Sequence, residues 1–403
     1  MRSPVHLGRG AAAVTSIAAA LIAAAAAPAL AAGLGRESAG ARSAPTSTVN
    51  DILYGVAAAS RSSAWAVGTY QPGTVQRTLI ERWNGRSWTT EASPSPGGTH
   101  GSFLNGVADV SSSSAWAVGG YSNGAEQKTL IEHWNGRSWK QVPSPSPGGV
   151  HDSYLFGVTA ISSSSAWAVG GYSNGTAEQT LIEHWNGRSW KRVASPNPAG
   201  TAKVNDLERV SATSPSNAWA VGYYGVSGAN ATRTLVEHWN GRSWTRLASP
   251  NPGGIGRFNG LYGVAADSST SAWAAGVYFN GVTDQPMVEH WSGRSWKRVA
   301  IPNPGGAGSF SGLGGAAAVS PSSAWVVGID PNGTLIEHWN GRSWKQVASP
   351  SPGGSAGNYL YDVTAVSTSN AWAVGKYHNG PSSLTLIEHW NGKAWRHVAS
   401  PSR

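Results

Sequence analysis

Leu130-Ile131-Glu132-His133-Trp134-Asn135-Gly136-Arg137-Ser138-Trp139 decides the fold, because close copies of it occur seven times in the chain. Each copy is preceded by an Ala-Trp segment such as Ser114-Ala115-Trp116-Ala117-Val118-Gly119. The 21 tryptophans therefore fall into seven triplets, from Trp65/Trp83/Trp88 and Trp116/Trp134/Trp139 to Trp372/Trp390/Trp395, stepping by about fifty residues. A repeat of that length, made of short strand-like segments, signals a radial array of small sheets.

Within one unit the segments are 103–111, 115–121, 129–134 and 138–143, each rich in β-branched or aromatic residues and bounded by Gly, Ser, Asn or Pro. We name them a, b, c and d. Asn-Gly separates c from d in six units and Ser292-Gly293 in the fifth, which predicts a two-residue type I′ hairpin. That turn sets Trp134 opposite Arg137 and Glu132 opposite Trp139. Glu132, Trp134, Arg137 and Trp139 then share one face, and Ile131, His133, Ser138 and Lys140 the other.

After d comes a stiff connector, Ser93-Pro94-Ser95-Pro96-Gly97-Gly98 and its counterparts, suited to carrying the chain from the rim of one sheet to the inner strand of the next. The expected fold is all-β: a seven-bladed β-propeller with four antiparallel strands per blade, spanning 49–403. A tryptophan buries roughly 150–250 Å², which stabilises by at most about 4–6 kcal/mol, so the indoles are expected to cement the blades. Every blade is continuous in sequence, so the ring should close by side-chain packing, without an interlocked strand.

Residues 1–31 have the parts of a secretory signal peptide: Arg2 and Arg9, an apolar run over 11–27, and Ala29-Leu30-Ala31. A retained membrane anchor is the rival. Cleavage leaves no membrane span, and 32–48 reads as a flexible linker. The protein is expected to be secreted, bacterial and monomeric. It has no cysteine, hence no disulfide and no lipidated N-terminal cysteine. The net charge of +9 is dispersed through the repeats, which argues against nucleic acid as a partner.

Trp116-Ala117-Val118-Gly119-Gly120, followed by Leu130 to Trp134 and Trp139-Lys140-Gln141-Val142, resembles the kelch repeat. The hairpin Asn135-Gly136-Arg137-Ser138-Trp139 is similar to a shortened Asp-box, a structural turn that brings no sialidase activity with it. Thr78-Leu79-Ile80-Glu81-Arg82-Trp83-Asn84-Gly85-Arg86-Ser87-Trp88 resembles the Glu/Trp hairpin of fucose-binding propeller lectins, which implies a sugar site at Glu81. Those lectins pair the Glu with an Arg on the preceding strand, and 64–70 holds none.

No catalytic or metal-binding motif is present, and no cofactor is expected. Glu81, Glu132, Glu183, Glu237, Glu289, Glu337 and Glu388 occupy one repeat position, with histidine next to six of them. A row of equivalent acids does not make a catalytic pair; a hydrogen bond to an indole N–H or to the diagonal Arg is expected. Asp109, Asp152, Asp206, Asp267, Asp330 and Asp362 are scattered singly, and convergence of several at the axis is left open.

Variation gathers between b and c, at 71–77, 122–128, 173–179, 225–233, 279–286, 331–333 and 378–384. Tyr70, Tyr121, Tyr172, Tyr224, Tyr278 and Tyr377 stand at the mouths of these loops, with Asp330 in the sixth unit. Aromatic rings beside Asn, Ser and Gly suit sugars or a protein surface, or they cover backbone glycines. The expected function is recognition of an extracellular glycan, cell-wall polymer or protein ligand. The alternatives are an axial enzyme acting on carbohydrate and a structural adhesion module.

Overall fold

A computed structural model describes residues 48–200, 203–226, 231–354 and 357–401. The expected signal peptide, and all of the linker except Thr48, lie outside them. Seven four-stranded antiparallel sheets follow one another, each with its strands in sequence order and no α-helix among the described residues. In blade 2 the strands are Ser102–Ser111, Ser114–Ser122, Gln127–Trp134 and Trp139–Gln141. This is the seven-bladed propeller expected from the repeat.

Alternation along the strands gives each blade two apolar faces, and adjoining faces interlock. Trp65, Val67 and Ile80 of blade 1 pack against Leu104, Val107, Leu130, Trp134 and Trp139 of blade 2. The tryptophans regroup in the process. Trp65 contacts Trp134 and Trp139 of the next blade, both at 5.0 Å between ring centroids, the latter edge-on. All seven seams repeat this trio, and the last is Trp372 with Trp83 at 5.0 Å and Trp88 at 5.2 Å. Each aromatic pair contributes about 0.5–1.5 kcal/mol beyond its buried area.

The c–d hairpin is longer than the expected two-residue turn. Trp134 pairs with Trp139, leaving Asn135 to Ser138 as a four-residue loop. Asn135 Oδ1 accepts the N–H groups of Arg137 and Ser138, both at 3.0 Å, and Gly136 takes a φ of +87°. The asparagine side chain stands in for a backbone acceptor, which is why the loop opens by two residues. A shift of two preserves the face of every strand residue. Glu132, Trp134 and Trp139 thus share a face as expected, whereas Arg137 is exposed in the loop.

Blades 1 and 7 are each continuous, as expected, but closure is more than packing. Asp51 N–H donates to Ser383 O and Ser383 N–H to Val49 O, each at 2.9 Å. Ser102 N–H donates likewise to Gln76 O at 3.1 Å between blades 1 and 2. Residues 49–51 therefore supply at the closing seam the backbone bond that a connector supplies elsewhere.

Candidate functional site

The two ends of the propeller differ. At one end the Asn-Gly loops lie over the a–b turns: Trp134 Nε1 donates to Ser112 O at 3.3 Å, and a Cβ on Gly136 would lie 3.2 Å from Ser113 Cβ. At the other end the b–c loops meet the Pro-Gly connectors, as in the bonds from Ser102 N–H to Gln76 O and from Ser122 N–H to Gly101 O. Val150, Ile255 and Val282, the exposed large hydrophobic residues among those described, all stand on connectors or b–c loops. A cavity of about 520 Å³ opens at this end, lined by Lys203, Val204, Gly225, Val226, Ala231, Thr232 and Phe258.

The six tyrosines lie near the ends of the b strands and are half-buried, each against the packed cluster of its own seam. Three are roofed by arginines of strand d. Arg192, Arg246 and Arg298 donate to the hydroxyls of Tyr172, Tyr224 and Tyr278 at 2.6, 3.0 and 3.0 Å. Tyr377 meets His397 edge-on. The rings are thus spaced round the rim, one per seam, and no two of them form one pocket. Asp330 is buried, and its Oδ1 accepts Asn332 N–H at 2.7 Å.

The glutamate row is structural, but its partners differ from those expected. All seven are fully buried. Ser93, Ser195, Ser249 and Ser400 donate their hydroxyls to Glu132, Glu237, Glu289 and Glu81, at 2.9, 2.9, 2.6 and 2.9 Å. In these four the partner is therefore the connector serine of the preceding blade, because the carboxyl faces that blade rather than its own hairpin. Both oxygens of Glu183, Glu337 and Glu388 are unpartnered: Ile301 replaces the serine before blade 6, while Ser144 and Ser349 bond to Thr129 and Thr334 instead. Burial pushes the carboxyls of Glu132, Glu237, Glu289 and Glu337 up to about 8. Glu81, where the lectin likeness would put a sugar, is closed off in the seam between blades 7 and 1. The histidines stack on the tryptophan of the same blade, His133 on Trp116 at 4.3 Å, and Arg82 takes that place over Trp65 in blade 1.

The axis is where the repeat breaks. Each strand a bulges, and the residue after the extra one is Gly55, Gly106, Gly157, Arg209, Gly263, Gly315 or Asp362. Glycine suits this position because neighbouring backbones nearly touch: a Cβ on Gly106 would lie 2.7 Å from Phe156 O. Arg209 and Asp362 put side chains where the other blades have none. Arg209 Nη1 donates to Phe156 O and Nη2 to Tyr54 O, both at 3.1 Å. Asp362 Oδ2 accepts Val56 N–H at 3.1 Å; burial raises its carboxyl, and Arg209 opposes the rise.

Next to Arg209, strand a of blade 4 (Asn205–Ser214) carries Asp206 and Glu208, both buried. Asp206 is the cross-strand neighbour of Tyr223, whose ring lies 5.9 Å from Phe258 and 6.4 Å from Tyr262. Gly171 leaves the space that Asp206 Oδ1 and Tyr154 Oη occupy; a Cβ there would lie 2.8 and 3.0 Å from them. Burial, then Glu178 and Glu208, push the Asp206 carboxyl far above its usual range, and burial takes Glu208 to about 8. Asp206 and Asp362 therefore leave the group of scattered acids for the axis. Their signal was readable as the only charged residues among the seven aligned strand-a bulges, together with Glu208 and Arg209. Among the described residues no group of His, Asp or Glu is disposed to hold a metal ion, and no helix is long and apolar enough to cross a membrane.

No protein-family model matches the chain, and no curated protein matches its sequence. Among solved structures it is similar to the GH74 xyloglucanase from Xanthomonas campestris, with a TM-score of 0.54 and 15 % identity over 85 % of this chain and 52 % of that one. It is also similar to U3-55K, with a TM-score of 0.50 and 11 % identity over 81 % of this chain and 91 % of that one. The chain spans about half the length of the xyloglucanase. At these identities the likeness is one of fold, and the fold is the β-propeller.

Proposed function

We propose that this propeller is a non-catalytic recognition module acting outside the cell, which binds a glycan or cell-wall polymer through the end carrying the b–c loops. One observation carries this reading: the variable loops, the connectors, the exposed apolar residues and the 520 Å³ cavity all gather at that end. The opposite end repeats the same Asn-Gly loop blade after blade. Conserving a scaffold and varying one rim is how a binding surface is carried on a rigid ring. The kelch-like and Asp-box-like character of the repeat belongs to the same proposal, as do export by residues 1–31 and the monomeric state.

Tyr70, Tyr121, Tyr172, Tyr224, Tyr278 and Tyr377 supply the aromatic contacts in this reading, with a long polymer crossing several seams. Glycan-array and polysaccharide pull-down measurements on the wild type, Tyr121→Ala and Tyr172→Ala test it. Binding that weakens in both variants supports the rim; equal binding by all three proteins moves the ligand elsewhere. Empty arrays end the glycan reading.

A second reading is an enzyme with an axial site acting on an extracellular carbohydrate, and the gathering of Asp206 and Glu208 favours it. The structural neighbour named as a xyloglucanase acts on a polysaccharide, which lends the same direction. Hydrolysis of a soluble polysaccharide that disappears in Asp206→Asn would decide for it.

A further inference from the structure

We propose that Asp206 and Glu208, together with the rings of Tyr154, Tyr223 and Tyr262, bind a small organic ammonium ion at the axial edge of blades 3 to 5. This goes beyond glycan recognition at the rim and does not depend on it.

The sevenfold repeat supplies its own control. At the place of Asp206 the other blades have Ile52, Phe103, Tyr154, Gly260, Gly312 and Tyr359; at the place of Glu208 they have Tyr54, Asn105, Phe156, Tyr262, Gly314 and Tyr361. Six blades build the ring without an acid at either position. The two carboxyls of blade 4 are therefore not required by the architecture, and they carry a desolvation cost that apolar residues avoid.

Among the described residues no cation acts on Asp206, and Glu208 has only Arg209. The charged groups acting on Asp206 are Glu178 and Glu208, both negative, with a backbone hydrogen bond from Leu207 and with Tyr154 and Tyr223 beside it. Arg209 acts on Glu208, but its guanidinium is committed to the carbonyls of Phe156, Glu208 and Tyr54 and shared with Asp362. Lys376, the cation at the place of Tyr223 in blade 7, lies over the ring of Tyr359. Independently of charge, Asp206 Oδ1 and Glu208 Oε2 are buried and make no hydrogen bond. Buried polar atoms in folded proteins are nearly always satisfied, so two orphaned acceptors side by side call for a donor.

The donor is defined by the walls. The acids are not disposed to ligate a metal. Tyr154, Tyr223 and Tyr262 stand around the acids, and aromatic rings attract ammonium groups more than neutral hydroxyls. An ammonium supplies N–H donors to both oxygens and the missing positive charge.

Proton linkage gives a signature that a merely structural acid pair would not show. With Asp206 and Glu208 holding protons in the free protein, and with Glu178, Asp284, Arg209, Asp362 and the three phenols as the other titratable groups nearby, an arriving cation favours the carboxylate and expels a proton. Affinity for an amine should then rise with pH until the amine itself loses its charge.

Isothermal titration of the whole protein with glucosamine, ethanolamine and glucose, at pH 7 in two buffers of different ionisation enthalpy, is the test. Saturable binding of both amines with proton release, no binding of glucose, and at least tenfold weaker amine binding in Asp206→Asn and Glu208→Gln are expected. Arg137→Ala, in an exposed Asn-Gly loop, should bind amines as the wild type does. Absence of amine binding by the wild type, equal binding of glucose and glucosamine, or unchanged affinity in a folded Asp206→Asn or Glu208→Gln variant would overturn the proposal.

Discussion

Arg209, on the innermost strand of blade 4, donates through Nη2 to the carbonyl oxygen of Tyr54 in blade 1, 3.1 Å away. The two residues are 155 positions apart, and the bond crosses the axis of the ring. A second bond from the same guanidinium reaches Phe156 O in blade 3, and Asp362 in blade 7 accepts from Val56 in blade 1. One arginine and one aspartate thus tie blades 1, 3, 4 and 7 together at the level where five other blades have only glycine.

Replacing Arg209 by Met keeps much of its volume and removes its bonds to Tyr54 in blade 1 and Phe156 in blade 3. Three carbonyls and the Asp362 carboxyl then lose a charged partner, a change that costs about 3–5 kcal/mol when a buried pair is broken. Chemical denaturation of R209M, D362N and the double variant should show a non-additive cycle, with the double variant less destabilised than the sum. Additive losses would mean that the two side chains act separately.

The closing seam should be as strong as the others. Trp372 meets Trp83 and Trp88 at distances that match those of Trp116 with Trp185 and Trp190, 4.9 and 5.1 Å. Trp372→Ala and Trp116→Ala should therefore each cost about 3–5 kcal/mol, and deletion of the seventh unit should abolish cooperative unfolding. A sharp melt in that truncation would show that the ring does not need closure.

These seams were legible from spacing alone, because period-two alternation and a fixed repeat put the same side chains on the same face in every blade. The four-residue c–d loop was not, since Asn-Gly serves both a two-residue turn and one closed by the asparagine side chain. At the axis the sequence shows Asp206 and Asp362 only as scattered acids, and nothing in it marks Arg209 as a neighbour of Asp362. Variation in loops stands out along the chain, whereas Asp206, Arg209 and Asp362 vary inside a strand and meet partners in blades remote in sequence. The serine partners of Glu132 and Glu237 are hidden for the same reason: they come from the connector of another blade.

Ser93→Ala should destabilise by about 1.5–3 kcal/mol at a pH where Glu132 is charged, because the hydroxyl is its hydrogen-bond donor. Below pH 8 the carboxyl is largely protonated and the loss should shrink towards the value of a neutral bond, about 0.5–1.5 kcal/mol. Urea melts of the variant and wild type at pH 6 and pH 9 measure the difference.

The buried glutamates also set how stability depends on pH. Burial raises Glu337 from the usual 4.5 to about 8, so the folded protein keeps a proton that the unfolded chain has already released. Unfolding in that window releases protons, and stability falls as pH rises through it, levelling off above pH 8. The stacked histidines act oppositely: burial lowers His133 and His338 below 6.5, so the stability they withhold in acid returns as pH rises to that value. Between pH 6.5 and 8 the histidines no longer contribute and the carboxyl effect dominates, while Lys376, lowered by burial to about 8, begins to oppose it near the upper end. Glu337→Gln removes one titrating group without breaking a hydrogen bond, since neither oxygen has a partner. Melting temperatures measured from pH 6.5 to 9 should therefore fall less steeply in E337Q than in the wild type, with the variant the more stable of the two at pH 9. Parallel curves would place the Glu337 carboxyl in its ordinary range and its charge already paired.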